Sequence, residues 1–94
     1  MRTSSEPQVA DARVTLPDDV DLHARPAAQF VRTAMRFSAK VSAATGEREV
    51  DAKSLLSVLA LGARRGTSIR LRAEGEDAAD AIAALTTTVA ELRE

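Results

Sequence analysis

The stretch TSIRLRAE, residues 67–74, has the most regular alternation of apolar and polar residues in the chain. The alternating apolar side chains are Ile69, Leu71 and Ala73, and the polar ones between them are Ser68, Arg70, Arg72 and Glu74. This pattern predicts a β-strand with one face in the core and the other in water. A sheet that is apolar on one side only must be covered there, which favours a two-layer domain with helices on that side.

Apolar residues at helical spacing predict helices on both sides of this strand. A first helix starts at Pro26 and has the apolar positions Ala27, Phe30, Val31, Ala34 and Phe37. A last helix follows the acidic residues Glu76 and Asp77 and has Ala78, Ile82, Leu85, Val89 and Leu92. Between them, a short helix is predicted from an N-cap at Ser54 to Gly62, the residue type most often found just past a helix end.

Three further strands complete the prediction. One covers Arg13 to Leu16, and a hairpin is predicted from Val41 to Val50 with a turn at Thr45-Gly46. The element order is β-α-β-β-α-β-α, an α+β fold with a four-stranded antiparallel sheet and three helices on one face. We expect residues 13–94 to form this single domain and the polar residues 1–12 to be a flexible N-terminal tail.

The composition excludes several classes of function. The 94 residues include no cysteine and one histidine, so we expect no disulfide, no thiolate chemistry and no metal. A net charge of −1 and the absence of Trp and Tyr argue against nucleic acid as a partner. No apolar run reaches the ~20 residues of a membrane span. We therefore expect a cytoplasmic protein with no membrane insertion and no cofactor.

The only histidine, His23, lies three residues before Pro26 in the segment DLHARPAAQFV. Proline disfavours helical conformation in the residue before it and is well accommodated in the first turn of a helix. His23 is therefore predicted at the helix cap.

The start of this helix is a predicted anion site. The backbone N–H groups of Ala24, Arg25 and Ala27 and the positive end of the helix dipole suit a bound anion, and the Arg25 guanidinium suits phosphate oxygens. The same positive end disfavours protonation of His23, which leaves a ring nitrogen available as a nucleophile. The alternative is that His23 only donates a hydrogen bond to a carbonyl at the helix end.

The segment SLLSVLAL, residues 54–61, has more large apolar residues than one short helix buries against one sheet. Some of its leucines are therefore expected on the surface, where they would mark a site for a partner. Tight packing against the neighbouring helix is the alternative.

Three segments resemble one family, the histidine-containing phosphocarriers (HPr) of the bacterial phosphotransferase system. LHARPAAQFV resembles the active-site motif, VDAKSLLSVLALG resembles the segment that leads into the second helix, and GTSIRLRAEGEDAADAIAAL resembles the last strand and helix. The resemblance covers Arg13 to Glu94. It implies the open-faced β-sandwich of that family, in agreement with the element order above.

The resemblance implies roles for individual residues. His23 would be phosphorylated at Nδ1 and Arg25 would orient the phosphoryl group. The phosphoryl group would come from the phosphoenolpyruvate-dependent enzyme I and pass to the IIA component of a sugar permease. The chain would thus be a carrier with a phosphohistidine intermediate rather than an enzyme that turns over a small molecule.

The same resemblance implies one docking surface for both partners of a monomeric carrier. Its apolar centre would comprise Ala24, Ala28, Leu55, Leu56 and Leu59, with a basic rim of Arg25, Arg32 and Lys53. Ser54 matches the serine that an HPr kinase/phosphatase modifies in many members of the family. Its role as an N-cap explains the same serine without a kinase.

Asp21 departs from the family pattern, which usually has glycine before Leu-His. Asp21, Asp18 and Asp19 bring negative charge towards a site meant for phosphate, unless their side chains turn away or cap N–H groups. This departure affects the expected rate of phosphotransfer and the choice of partner more than the fold.

Two other functions fit the same residues. One is a specialised carrier with the same chemistry, linked to nitrogen regulation or to a dihydroxyacetone kinase. The other is a regulatory module that binds proteins through its leucine surface without phosphotransfer. A carrier needs His23, whereas a binding module would tolerate His23→Ala.

Overall fold

The computed structural model describes residues 8–93 as a four-stranded antiparallel sheet and three helices in the predicted order. The elements are β1 Val9–Thr15, α1 Ala24–Met35, β2 Lys40–Thr45, β3 Arg48–Asp51, α2 Leu55–Leu61, β4 Ser68–Glu74 and α3 Ala78–Ala90. The predicted fold class is confirmed. Among the described residues no helix is both long enough and apolar enough to cross a membrane.

Strand β4 lies inside the sheet, whose strand order is β1-β4-β2-β3. It pairs antiparallel with β1, where Val14 is opposite Ile69, and with β2, where Ala43 is opposite Leu71. The predicted inward residues of β4 are buried and the residues between them are exposed. One face of the sheet is therefore in the core and the other is in water, as the alternation predicted.

The three helices cover the apolar face of the sheet. Phe30 of α1, Val58 of α2 and Leu85 of α3 are fully buried and belong to one core with the inward residues of the strands. Leu92 is buried as predicted, although it lies beyond the end of α3 at Ala90. All three helices contribute to one core, so their positions relative to the sheet are fixed.

Strand β1 begins earlier than predicted. Its pairing with β4 extends from Thr15 opposite Ser68 back to Val9 opposite Glu74, so residues 9–12 of the expected tail belong to the sheet. The inward positions in this part are only half-buried alanines, Ala10 and Ala12, which give a weak hydrophobic signal. The rest of the expected tail, residues 1–7, lies outside the described residues.

The turn between β4 and α3 is hydrogen-bonded to the two residues just before β2. The Asp77 carboxylate accepts hydrogen bonds from the backbone N–H groups of Ser38 and Ala39, each at 2.8 Å. These bonds, that of Ser38 first, lower the pKa of Asp77. Gly75, at φ +143°, lies so close to this segment that an added Cβ would be 2.9 Å from the Ala39 Cα atom.

We expect Gly75→Ala to destabilise the fold more than Gly46→Ala. Both positions have positive φ, but Gly46, at +55°, has open space where Gly75 meets backbone. Alanine in the left-handed conformation costs about 1–2 kcal/mol of stability, whereas alanine at the backbone conformation of Gly75 costs up to about 3 kcal/mol. The contact of its Cβ with Ala39 adds to that cost. Urea unfolding of the two variants measures the difference, and equal losses would contradict the close approach.

Candidate functional site

His23 is the N-cap of α1, in extended conformation with φ −90° and ψ −168°. The residues on either side of it are anchored. Leu22 is buried and its N–H donates to the Ala63 carbonyl at 3.0 Å, and Pro26 is fully buried in the first turn of the helix. The backbone at His23 is thus fixed by its neighbours.

The imidazole of His23 has no part in the helix cap. It makes no capping hydrogen bond, and 73% of its side chain is exposed. The alternative reading, in which the ring serves the helix end, therefore lacks a structural contact. The ring is accessible to a partner.

The first turn of α1 offers fewer backbone donors than the sequence predicted. Ala24 and Arg25 are exposed and occupy the first positions of the helix, where N–H groups have no partner within the helix. The N–H of Ala27 is different, because it donates to the His23 carbonyl at 2.7 Å, and Ala27 is buried. The prediction that Ala27 binds phosphate was therefore wrong, and the donors left are those of Ala24 and Arg25.

Asp21, the departure from the family pattern, is held by Arg65. Its Oδ1 accepts hydrogen bonds from the Arg65 backbone N–H at 2.7 Å and from Nε at 3.3 Å, and its Oδ2 from Nη2 at 3.1 Å. These bonds, that of the Arg65 side chain first, lower the pKa of Asp21 from 3.8 to about 2. The carboxylate is 14% exposed, and its Oδ2 lies 3.9 Å from Nε2 of His23. The negative charge of Asp21 is thus matched by a cation.

Sequence reasoning did not find Arg65, which lies 44 residues further along the chain. The only signal was the pair Arg64-Arg65 before Gly66 in the loop between α2 and β4. That loop lies beside the site because Leu22 is bonded to Ala63. Asp18 and Asp19 are exposed, as their polar sequence predicts.

The leucines of α2 divide between the core and the surface. Leu56 is 80% exposed and Leu55 is 40% exposed, whereas Leu59 is half-buried and Leu61 is buried. Ala28, one turn into α1, is also half-buried. The expectation that some leucines are on the surface is confirmed.

The three basic residues of the expected rim differ in their surroundings. Arg25 and Arg32 are exposed. Arg32 also lines an open groove of about 670 Å³ between α1 and α3, with Met35 and Glu91 among the other residues. Lys53 is half-buried and its Nζ donates to the Phe37 carbonyl at 2.7 Å. Lys53 thus contributes to the fold and is a weaker candidate for the rim.

Ser54 is the N-cap of α2, where its Oγ accepts a hydrogen bond from the N–H of Ser57 at 3.3 Å. This is the capping role that the sequence predicted. Regulatory phosphorylation of Ser54 stays a prediction from the resemblance. Within residues 8–93 no three His, Asp or Glu side chains come together as metal ligands.

The fold and site define a class of protein, an open-faced β-sandwich with an exposed histidine at a helix N-terminus. A family model described as the PTS HPr component phosphorylation site matches residues 10–91. The chain belongs to this family, the HPr phosphocarriers of the phosphotransferase system.

Individual relatives agree with this assignment. The chain is 42% identical over 72 residues to the phosphocarrier protein HPr of Xylella fastidiosa, which covers 77% of this chain and 81% of that protein. It is similar to a crystal structure of HPr from Thermoanaerobacter tengcongensis, with a TM-score of 0.83, 36% identity and coverage of 86% of this chain and 91% of that one. A crystal structure of an HPr dimer from the same organism matches with a TM-score of 0.70, 38% identity and coverage of 82% and 88%. The expected monomer therefore stays a prediction.

The Asp21–Arg65 pair predicts a pH dependence of stability. Because the pKa of Asp21 is about 2 in the folded chain and 3.8 ordinarily, its contribution is complete above pH 3.8 and is lost as the pH falls towards 2. We expect the free energy of unfolding to fall less steeply over this range in Asp21→Asn than in the unmutated protein. Urea unfolding at several pH values measures this. Asp19→Asn should keep the steep fall, and a steep fall in Asp21→Asn would contradict the assignment.

Proposed function

We propose that His23 accepts a phosphoryl group from the phosphoenolpyruvate-dependent enzyme I and passes it to the IIA component of a sugar permease. The observation that carries this proposal is the imidazole itself, which is 73% exposed at the start of a helix and makes no capping contact. Membership in the HPr family supports the same role.

The chemistry is a transfer in two steps with His23 as the intermediate carrier. The Nδ1 lone pair of His23 forms a bond to phosphorus while the bond from phosphorus to the donor breaks. The second step reverses this: the acceptor forms its bond to phosphorus, the N–P bond breaks, and its electron pair returns to Nδ1. The chain ends the cycle unchanged, as a carrier requires.

The start of α1 stabilises the charge of the phosphoryl group in this proposal. The N–H groups of Ala24 and Arg25 and the helix dipole are already in place, so they need no rearrangement when the anion arrives. The exposed guanidinium of Arg25 adds donors that suit phosphate oxygens.

Both partners dock, in this proposal, on the apolar surface beside His23. Leu55 and Leu56 are exposed on α2, which packs against α1, the helix that contains Ala28. Burial of such side chains by a partner is favourable, at about 25 cal/mol per Å² of apolar surface. The exposed cations Arg25 and Arg32 would speed the encounter with acidic partners.

Incubation with phosphoenolpyruvate and enzyme I tests the proposal. We expect one phosphate per chain, labile in acid and stable in base, and none in His23→Ala. Arg25→Gln should be phosphorylated about tenfold more slowly or worse, since a hydrogen bond to a charged group contributes about 1.5–3 kcal/mol. Arg36→Gln removes an exposed cation at the other end of α1, far from His23, and should keep the rate. A folded, unmutated chain that takes no phosphate would refute the carrier function and favour a regulatory module.

A further inference from the structure

The carboxylate of Asp21 lies beside the ring of His23 in a fixed position. Three hydrogen bonds to Arg65 set both of its oxygens, at 2.7, 3.3 and 3.1 Å. Its low pKa keeps it ionised throughout the neutral range. A permanent negative charge is therefore held at one edge of the imidazole.

The ring atom that faces this charge is Nε2, which lies 3.9 Å from Oδ2. A ring rotation that closes the gap by about 1 Å would bring Nε2 into hydrogen-bond range. Such contacts are often long before a partner is bound.

We propose that Asp21 is a positioning residue for phosphotransfer, which holds the ring proton of His23 on Nε2 and so leaves the Nδ1 lone pair free to attack phosphorus. This inference rests on the proposed function. Asp21 in place of the usual glycine would then favour phosphotransfer, whereas a carboxylate near phosphate would otherwise oppose it.

The charge balance of the transfer gives Asp21 a second effect. When Nδ1 donates its electron pair to phosphorus, the ring keeps its Nε2 proton and gains positive charge. The Asp21 carboxylate then faces a cationic ring, and the attraction is stronger than it is to the neutral ring. When the phosphoryl group leaves with the acceptor, the electron pair returns to Nδ1 and the ring is neutral again.

Arg65 makes this arrangement compatible with an anionic substrate. An unmatched carboxylate beside the site would repel the phosphoryl group. Because Arg65 binds both oxygens of Asp21, the pair adds no net charge to its surroundings. The ring edge is nevertheless close to the carboxylate. At this short distance the field of the carboxylate is not fully cancelled, because the two charges of the pair are separated in space.

The single histidine makes the test direct, because ¹⁵N-histidine labelling reports one imidazole. At about pH 9, where a histidine ring is neutral, the ¹⁵N shifts of Nδ1 and Nε2 give the populations of the two tautomers. We expect the proton on Nε2 in the unmutated protein and a smaller Nε2–H population in Asp21→Asn and Asp21→Gly. Asp21→Gly restores the usual residue of the family and keeps the test independent of any folding defect in Asp21→Asn. Unchanged tautomer populations in folded Asp21→Gly would overturn the proposal.

Phosphorylation kinetics give a second readout. With phosphorylated enzyme I as donor, we expect kcat for Asp21→Asn to fall about fivefold and KM to stay unchanged. A fivefold loss corresponds to the interaction of two unit charges about 4 Å apart in a medium as polar as water. Asp19→Asn removes the same charge from an exposed neighbour and should keep kcat. An equal loss in Asp19→Asn, or a change in KM alone, would overturn the positioning role. If the unmutated protein takes no phosphate, the carrier function fails, and the tautomer populations still decide whether Asp21 holds the ring.

Discussion

The one-sided apolar pattern of β4 constrains the rest of the fold. Ile69, Leu71 and Ala73 all point to one face of a strand that has neighbours on both sides. Burying them requires cover on that face alone, and all three helices supply it. The other face carries charged residues and stays in water. The three helices therefore lie in one layer on that face.

The residues that flank the start of α1 are anchored, which explains why the site is preformed. Leu22 is buried and bonded to Ala63, while Pro26 is buried in the first helical turn. Between these fixed points His23, Ala24 and Arg25 are exposed to solvent. A reactive side chain with a rigid backbone and an open approach suits a carrier that must meet two partners in turn.

The segment on the other side of Leu22 is held just as firmly. Asp21 bonds to Arg65 in the loop that also provides the Ala63 carbonyl. One loop between α2 and β4 thus positions both the backbone at Leu22 and the carboxylate beside the ring. In a chain with glycine at position 21, only the hydrogen bond of Leu22 to Ala63 would hold this segment against the loop.

The sequence predicts most of the fold because the relevant signals are local. Alternation in residues 68–74, the cap at Ser54 and the stop at Gly62 each determine an element without distant contacts. The start of β1 could not be predicted, since Ala10 and Ala12 give little hydrophobic contrast and the pairing with β4 defines the strand.

The same distinction between local signals and distant contacts applies to the site. His23 at a helix cap follows from the proline three residues later. The Ala27 N–H is used within the helix because α1 begins at Ala24, two residues earlier than predicted. The bond of Lys53 to Phe37 and the pairing of Asp21 with Arg65 depend on contacts between residues far apart in sequence. The charge near His23 was visible in the sequence, but its neutralising partner 44 residues away was not.

We propose that His23 is the phosphoryl carrier and that Nδ1 is the atom that bears the phosphorus. This proposal is tested most directly by ¹⁵N and ³¹P NMR of the ¹⁵N-histidine-labelled protein after incubation with phosphoenolpyruvate and enzyme I. We expect a ³¹P–¹⁵N coupling at Nδ1 of the single imidazole, with the Nε2 proton retained. A coupling at Nε2, or a phosphorylated chain whose imidazole signals are unchanged, would contradict it.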